Sequence, residues 1–162
     1  MAPTHDELAG IVDLFGGLTR TQLRDAVGEL AFKQGETIDE DALDDRIDRA
    51  CRGYYLLAVP TAMIDARGDE EPSVLVPGPV ALPSLPAYGE DLPHILDPDR
   101  RTIPVEAKAT ALREQLETDV ESAIEEEATT RAETLLDVCY AAESWGPVEI
   151  DDLRQSLQEL LE

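Results

Sequence analysis

Apolar residues in the first third of the chain recur at helical spacing in three short bursts. Leu8, Ile11, Val12 and Phe15 form the first. Thr4 stands where it can cap that run, Glu7 three residues on completes a capping box, and Gly16-Gly17 stops it. Leu23, Ala26, Val27, Leu30 and Ala31 form the second, opened by Thr19 or Thr21 and closed by Gly35, a residue suited to a left-handed cap. Asp39 caps the third, whose apolar face is Leu43, Ile47, Ala50 and Cys51, and Gly53 ends it. The period then shortens. Residues 54–59 and 73–76 are apolar runs rich in strand formers, with Met63 and Ile64 extending the first and Gly68 marking the turn in a polar intervening stretch. This pattern predicts a β-hairpin. Adjacent Tyr54 and Tyr55 should face opposite sides of its first strand, one inward and one outward.

Eight of the eleven prolines fall from Pro72 to Pro104, which rules out a continuous helix and a central strand there. An extended connector is expected, with Leu82, Leu85, Leu92, Ile95 and Leu96 as anchors onto a core. Its Pro83-Ser-Leu-Pro86 matches a two-proline ligand spacing but has no basic residue beside it, so it reads as spacer. Pro104 suits a first helical turn. Val105, Ala109, Leu112, Leu116, Val120, Ala123 and Ile124 make one stripe, and Ala128, Ala132, Leu135, Leu136, Cys139 and Ala142 a second. One helix or two would satisfy both stripes. Three glutamates at 125–127 are poorly placed for a helix C-terminus, and Thr130 with Glu133 has capping-box spacing. Together they favour an antiparallel helical hairpin bending near residues 127–130. Trp145-Gly146-Pro147 is a break, and a last helix begins near Asp151 with Leu153, Leu157, Leu160 and Leu161 as its apolar side.

These elements predict a mainly α (α+β) protein in three parts. Residues 1–78 form a three-helix unit with a hairpin, 79–104 the Pro-rich connector, and 105–162 a helical region.

Charge changes the picture more than composition does. The 162 residues hold 36 acids and 13 bases, a net charge of −23, with 43% hydrophobic and only 4% aromatic residues. A chain of this length can bury a good core, here made of Leu, Val, Ile and Ala. Residues 1–59 carry 12 acids and 6 bases, 60–104 carry 8 and 3, and 105–162 carry 16 and 4. The excess is therefore a property of the whole surface and not of a tail. Arg is used eleven times and Lys twice, at Lys33 and Lys108. Dropping the strongly hydrated ammonium while keeping carboxylates suits a solvent with little free water. The composition resembles that of cytosolic proteins of halophilic archaea, where a Debye length of roughly 3 Å screens carboxylate repulsion. With no leader-like start and no apolar run of spanning length, a cytoplasmic location and no membrane partner are expected.

Three helices followed by a hairpin, bending at Gly35 to Asp39 between the second and third, resemble a winged-helix domain over roughly residues 4–78. The whole chain resembles an uncharacterised haloarchaeal family of acidic proteins with a winged-helix-like N-terminal domain, a Pro-rich middle and a helical C-terminus. The winged-helix resemblance implies that the third helix would be the one to enter a major groove, presenting Arg46, Arg49 and Arg52, with Arg67 at the wing tip. That helix also carries Glu40, Asp41, Asp44, Asp45 and Asp48, and Asp45–Arg49 and Asp48–Arg52 have the spacing of pairs on one helix. High salt weakens binding that depends on counterion release, so a DNA reader in that solvent would lean on base contacts.

Signals for catalysis are few. His5 stands in the start of the chain and His94 in the connector, neither with metal-ligand spacing. Cys51 and Cys139 fall in helical patterns as buried thiols, and Gly16-Gly17 lacks the residues of a phosphate loop. No catalytic residue, metal site or cofactor is assigned. The leading expectation is a non-catalytic regulatory or adaptor protein acting through protein contacts, including self-association through the C-terminal helices. The alternative is a winged-helix transcription regulator that binds DNA through Arg46, Arg49, Arg52 and Arg67. An enzyme of unknown type is the weaker alternative.

Overall fold

The computed structural model describes residues 2–64, 71–96 and 100–162. The molecule is mainly helical, with a small antiparallel sheet. Its chain divides into two compact units, Met1–Ile103 and Pro104–Glu162.

In the first unit, α1 (His5–Leu14), α2 (Arg20–Lys33) and α3 (Glu40–Arg52) begin where their caps dictate. Thr4 and Glu7 form a reciprocal capping box, Thr19 and Gln22 form a second, and the Asp39 carboxylate accepts from the amides of Asp41 and Ala42. Gly35 is left-handed, with Gly35 N–H donating to the Phe32 carbonyl and Glu36 N–H to that of Ala31. The expected apolar stripes meet in one core of Leu8, Ile11, Val12, Phe15, Leu23, Val27, Leu30, Leu43 and Ile47.

The hairpin comprises β1 (Leu56–Pro60) and β2 (Ser73–Pro77), in register from Leu56 opposite Pro77 to Pro60 opposite Ser73. On its other side β2 meets Leu18, whose N–H and C=O exchange hydrogen bonds with Leu75. Two details differ from the sequence pattern. β1 starts at Leu56 because Tyr54 takes a left-handed turn (φ 65°) that closes α3, with Tyr55 N–H donating to the Ala50 carbonyl. Tyr54 is nevertheless the buried tyrosine and Tyr55 the half-buried one. Met63 does not prolong β1: Pro60, which lacks an amide proton, ends the strand and Thr61–Met63 turn into a 3-10 helix. The expected turn at Gly68 lies outside the described residues.

The Pro-rich segment runs as a strap over α1. Leu82 N–H donates to the Asp6 carboxylate and Ser84 N–H to the Asp6 carbonyl. Gly10, in the middle of α1, allows this crossing, since a Cβ there would lie 1.9 Å from the Ser84 oxygen. A short α4 (Leu92–Leu96) then buries Leu92 completely, with Leu96 half-buried. Leu82 and Leu85 are exposed, contrary to the expected anchoring, because the strap is fixed by its backbone hydrogen bonds there. The Ile95 side chain lies outside the described residues. The segment closes with Arg101, whose N–H donates to the Phe15 carbonyl and whose guanidinium donates to Gly17 O and Gln22 Oε1.

The second unit consists of α5 (Val105–Glu126), α6 (Thr129–Trp145) and α7 (Asp151–Leu160). The chain does bend at residue 127, as a hairpin requires, but by a different device from the expected one. Glu127 is left-handed (φ 52°), and amides 127 and 128 donate to the carbonyls of Ile124 and Ala123. Ala128 is the N-cap of α6, so Thr130 lies inside the first turn and makes no cap with Glu133. The three glutamates do end α5, in an unfavourable position against its dipole. Leu112, Leu116, Val120, Ala123, Ala132, Leu135, Cys139, Ala142 and Leu157 are buried, while Val105 and Ile124, in the terminal turns of α5, are exposed. Among the described residues no helix is long and apolar enough to cross a membrane.

Candidate functional site

The buried residues Leu43, Ile47 and Ala50 fix how α3 is rotated, and that rotation sorts its charges onto two flanks. One flank faces α2. There Arg20 is 2.7 Å from Asp48 and 3.7 Å from Asp44, and Arg24 is 3.2 Å from Asp44. The Asp48 carboxylate accepts from Arg20, a partner on another helix that long-range packing supplies and spacing along α3 does not predict. Two of the five acids of α3 thus have arginine partners on another helix.

The other flank holds Arg46, Arg49 and Arg52, each three residues from the next and stepping round the helix. Arg49 is exposed and bonded to Asp45 at 3.0 Å, the pairing its spacing predicts. Arg52 is exposed in the last turn, where a cation complements the helix dipole. Arg46 is half-buried and turned toward the start of α1. Arg67 lies outside the described residues. Three of the four candidate arginines therefore share one surface.

Arg46 contributes to a surface cavity of about 260 Å³ whose other walls are Thr4, His5, Asp6 and Tyr55. The His5 and Tyr55 rings pack at 4.9 Å between centroids, tilted by 57°. Burial and then the Arg46 charge push the His5 pKa down; Asp6 pulls it back up and Arg49 adds to the lowering. His5 is therefore a placed side chain rather than part of a loose chain start. Sequence reading missed it, and no local signal marks a residue at position 5 as the neighbour of one at position 55.

In the second unit a wider groove, about 830 Å³, runs past Arg113, Glu114, Glu117, Glu149, Asp151 and Asp152. Its one cation is fully engaged: Arg113 donates to Glu117 at 2.6 Å, to both Asp152 oxygens at 2.6 and 2.8 Å, and to the Glu149 carbonyl at 2.7 Å. These bonds hold the Asp152 carboxyl down to about 2 and push the Arg113 guanidinium up. Burial pushes both Cys51 and Cys139 up to about 11, so both are uncharged and poorly nucleophilic at neutral pH. Among the described residues no group of three or more His, Cys, Asp or Glu is placed to hold a metal ion.

Residues 6–162 match the Family of unknown function (DUF7109), which takes in both units. The chain belongs to that family. No curated protein matches it, and no solved structure does. The DUF7109 match covers α3, Tyr55 and the arginine clamp of the second unit, so the family spans every element of both candidate surfaces except Thr4 and His5.

Proposed function

We propose that the protein is a non-catalytic regulatory or adaptor protein that works through protein contacts, with a winged-helix-like first unit as its docking module. The observation that carries this reading is the charge order on α3. Arg49 is bonded to Asp45 beside it, and Asp41, Asp45 and Asp48 are exposed on the same helix. A duplex approaching that helix would bring its phosphates against those carboxylates, whereas a protein surface can supply matched charges of both signs. The winged-helix comparison is supported by the order of three helices and a hairpin, and by the Leu18–Leu75 bridge that adds the α1–α2 loop to the hairpin.

DNA binding is the second reading, favoured by one arrangement. Arg46, Arg49 and Arg52 form a continuous flank, and two acids on the opposite flank are offset by Arg20 and Arg24. One titration separates the readings: fluorescence anisotropy of labelled duplexes in molar potassium chloride, with Arg49→Glu as control. Sequence-dependent binding lost in the variant would replace the adaptor reading. Absence of binding, with a stoichiometric partner or self-association seen by light scattering in the same salt, would support it. No partner, no self-association and no DNA binding would defeat both.

The proposed setting is the concentrated-salt cytoplasm of a halophile, supported by the −23 charge and the eleven-to-two use of Arg over Lys. Thermal unfolding should shift upward between dilute and molar salt as carboxylate repulsion is screened. An unchanged or lowered midpoint would reject that setting.

A further inference from the structure

We propose that the cavity between Arg46, His5 and Tyr55 is a binding site for a phosphate-class oxyanion. The argument begins with how this acidic chain treats its cations. Arg20, Arg24, Lys33, Arg49, Arg113, Arg131 and Arg154 each lie against a carboxylate of the same chain. With nearly three acids per base, such pairing is the default. Arg46 departs from it: among the described residues its guanidinium has no ion-pair partner, although it is half-buried in a cavity wall. The one carboxylate in that wall, Asp6, accepts the Leu82 amide on Oδ1 at 2.9 Å and keeps its charge, which acts on His5.

The rest of the wall suits an oxyanion. Thr4 Oγ1 is used by the cap of α1, which leaves the imidazole of His5 and the phenol of Tyr55 as the polar groups beside Arg46. A neutral imidazole N–H and a phenol O–H are donors, and an arginine fork adds two more toward one anion. Arg49 contributes field from one helical turn further on, sensed at His5. At about 260 Å³ the cavity is smaller than the roughly 300 Å³ at which pockets for drug-sized ligands begin, so a compact anion fits it better than an extended ligand. The site does not depend on whether α3 meets protein or DNA. The phosphate could be free or belong to a nucleic-acid backbone, and the test distinguishes these.

His5 is the reporter, and the chain's other histidine, His94, exposed on α4, is an internal control. Inorganic phosphate is titrated into the whole protein in molar potassium chloride, and both imidazole ring signals are followed by NMR. A saturable shift confined to His5 is expected, with its protonation midpoint rising on saturation, because a bound anion joins Asp6 in favouring the imidazolium against burial and the charges of Arg46 and Arg49. Arg46→Gln should weaken the response at least tenfold. Unchanged hairpin amide signals would show that the variant is folded. A mixed-sequence duplex forms the second arm: a matching His5 shift that is also lost in Arg46→Gln assigns the site to backbone phosphate, and a shift with inorganic phosphate alone assigns it to the free anion. The proposal is overturned if neither ligand moves His5 saturably, if His94 moves in parallel, or if Arg46→Gln responds like the parent.

Discussion

The two units hold their helices in different ways. Every long helix of the first unit starts on a side-chain cap: Thr4 for α1, Thr19 for α2 and Asp39 for α3. None in the second does, since Pro104, Ala128 and Ile150 precede α5, α6 and α7 without a side-chain cap. There, arginines tie one helix to the next. Arg113 on α5 holds Asp152 of α7, Arg131 on α6 lies 3.4 Å from Asp119 of α5, and Arg154 on α7 bonds to Glu143 of α6. A cap is a contact within one turn and forms with the helix. An ion pair between exposed helices is worth about 0–1 kcal/mol and depends on pH and salt. Arg20 and Arg24 make such ties between α2 and α3 as well, but there side-chain caps stand beside them. The second unit should therefore depend more on its charge network than the first.

The largest effect that would test this contrast is steric and lies in the first unit. Gly10→Ala would ordinarily favour a helix, yet its methyl would meet the Ser84 backbone. Denaturant unfolding should show a loss of about 1–3 kcal/mol as the strap is displaced. A gain would mean that the strap is not closely held on α1.

Next is the buried cap. Thr19 is only 4% exposed, so Thr19→Ala should cost up to about 2 kcal/mol, near the top of the range for caps. Chemical denaturation followed by circular dichroism would measure it, and a neutral result would remove the cap as a distinguishing feature of this unit.

In the second unit, an improvement is predicted. Glu127 sits in a left-handed conformation after two further glutamates at the negative end of α5. Glu127→Gly should stabilise by about 1 kcal/mol, by relieving the conformation and removing one like charge. Trp145, the single tryptophan, reports on this unit by fluorescence. A drop in midpoint would show that the Glu127 side chain has a role that its backbone position conceals.

The smallest effect concerns pH. The Asp152 carboxyl lies below its ordinary value of 3.8, at about 2, because Arg113 binds its ionised form. A depressed carboxyl stabilises above its unfolded-state pKa, and that contribution disappears as pH falls from about 4 to about 2. Asp152 is well exposed, with 65% of its side chain accessible, so the effect is modest. Acid titration followed by Trp145 fluorescence should show parent and Asp152→Asn differing at neutral pH and converging across that window. Curves that never differ would remove the clamp from the stability of the second unit.

What could be read from the chain alone follows the same division. The capping box of α1, the opening of α2 at Thr19 or Thr21, the Asp39 cap and the left-handed Gly35 were legible because each depends on residues within about one turn. The apolar stripes of the first three helices were legible because burial repeats with the helical period. The turn after α5 was only half legible: its position followed from pattern, but the left-handed residue is a glutamate, which intrinsic preference would not select. Arg46, Arg49 and Arg52 could be named as one flank from spacing alone. That Arg49 pairs with Asp45 was also readable, since four residues separate them.

The sequence by itself determined where α1, α2 and α3 begin and end, which apolar stripes they bury, and that the chain is strongly acidic. Tertiary structure alone decided that Asp48 meets Arg20, that the Pro-rich strap lies across Gly10, and that Arg46 shares a cavity with His5 and Tyr55. The physical reason is range. Caps and stripes are set by hydrogen bonds and burial repeated over one to four residues. Contacts between residues 5, 46 and 55 exist only once a common core has fixed the rotation of α1 and α3 and the path of the chain into β1.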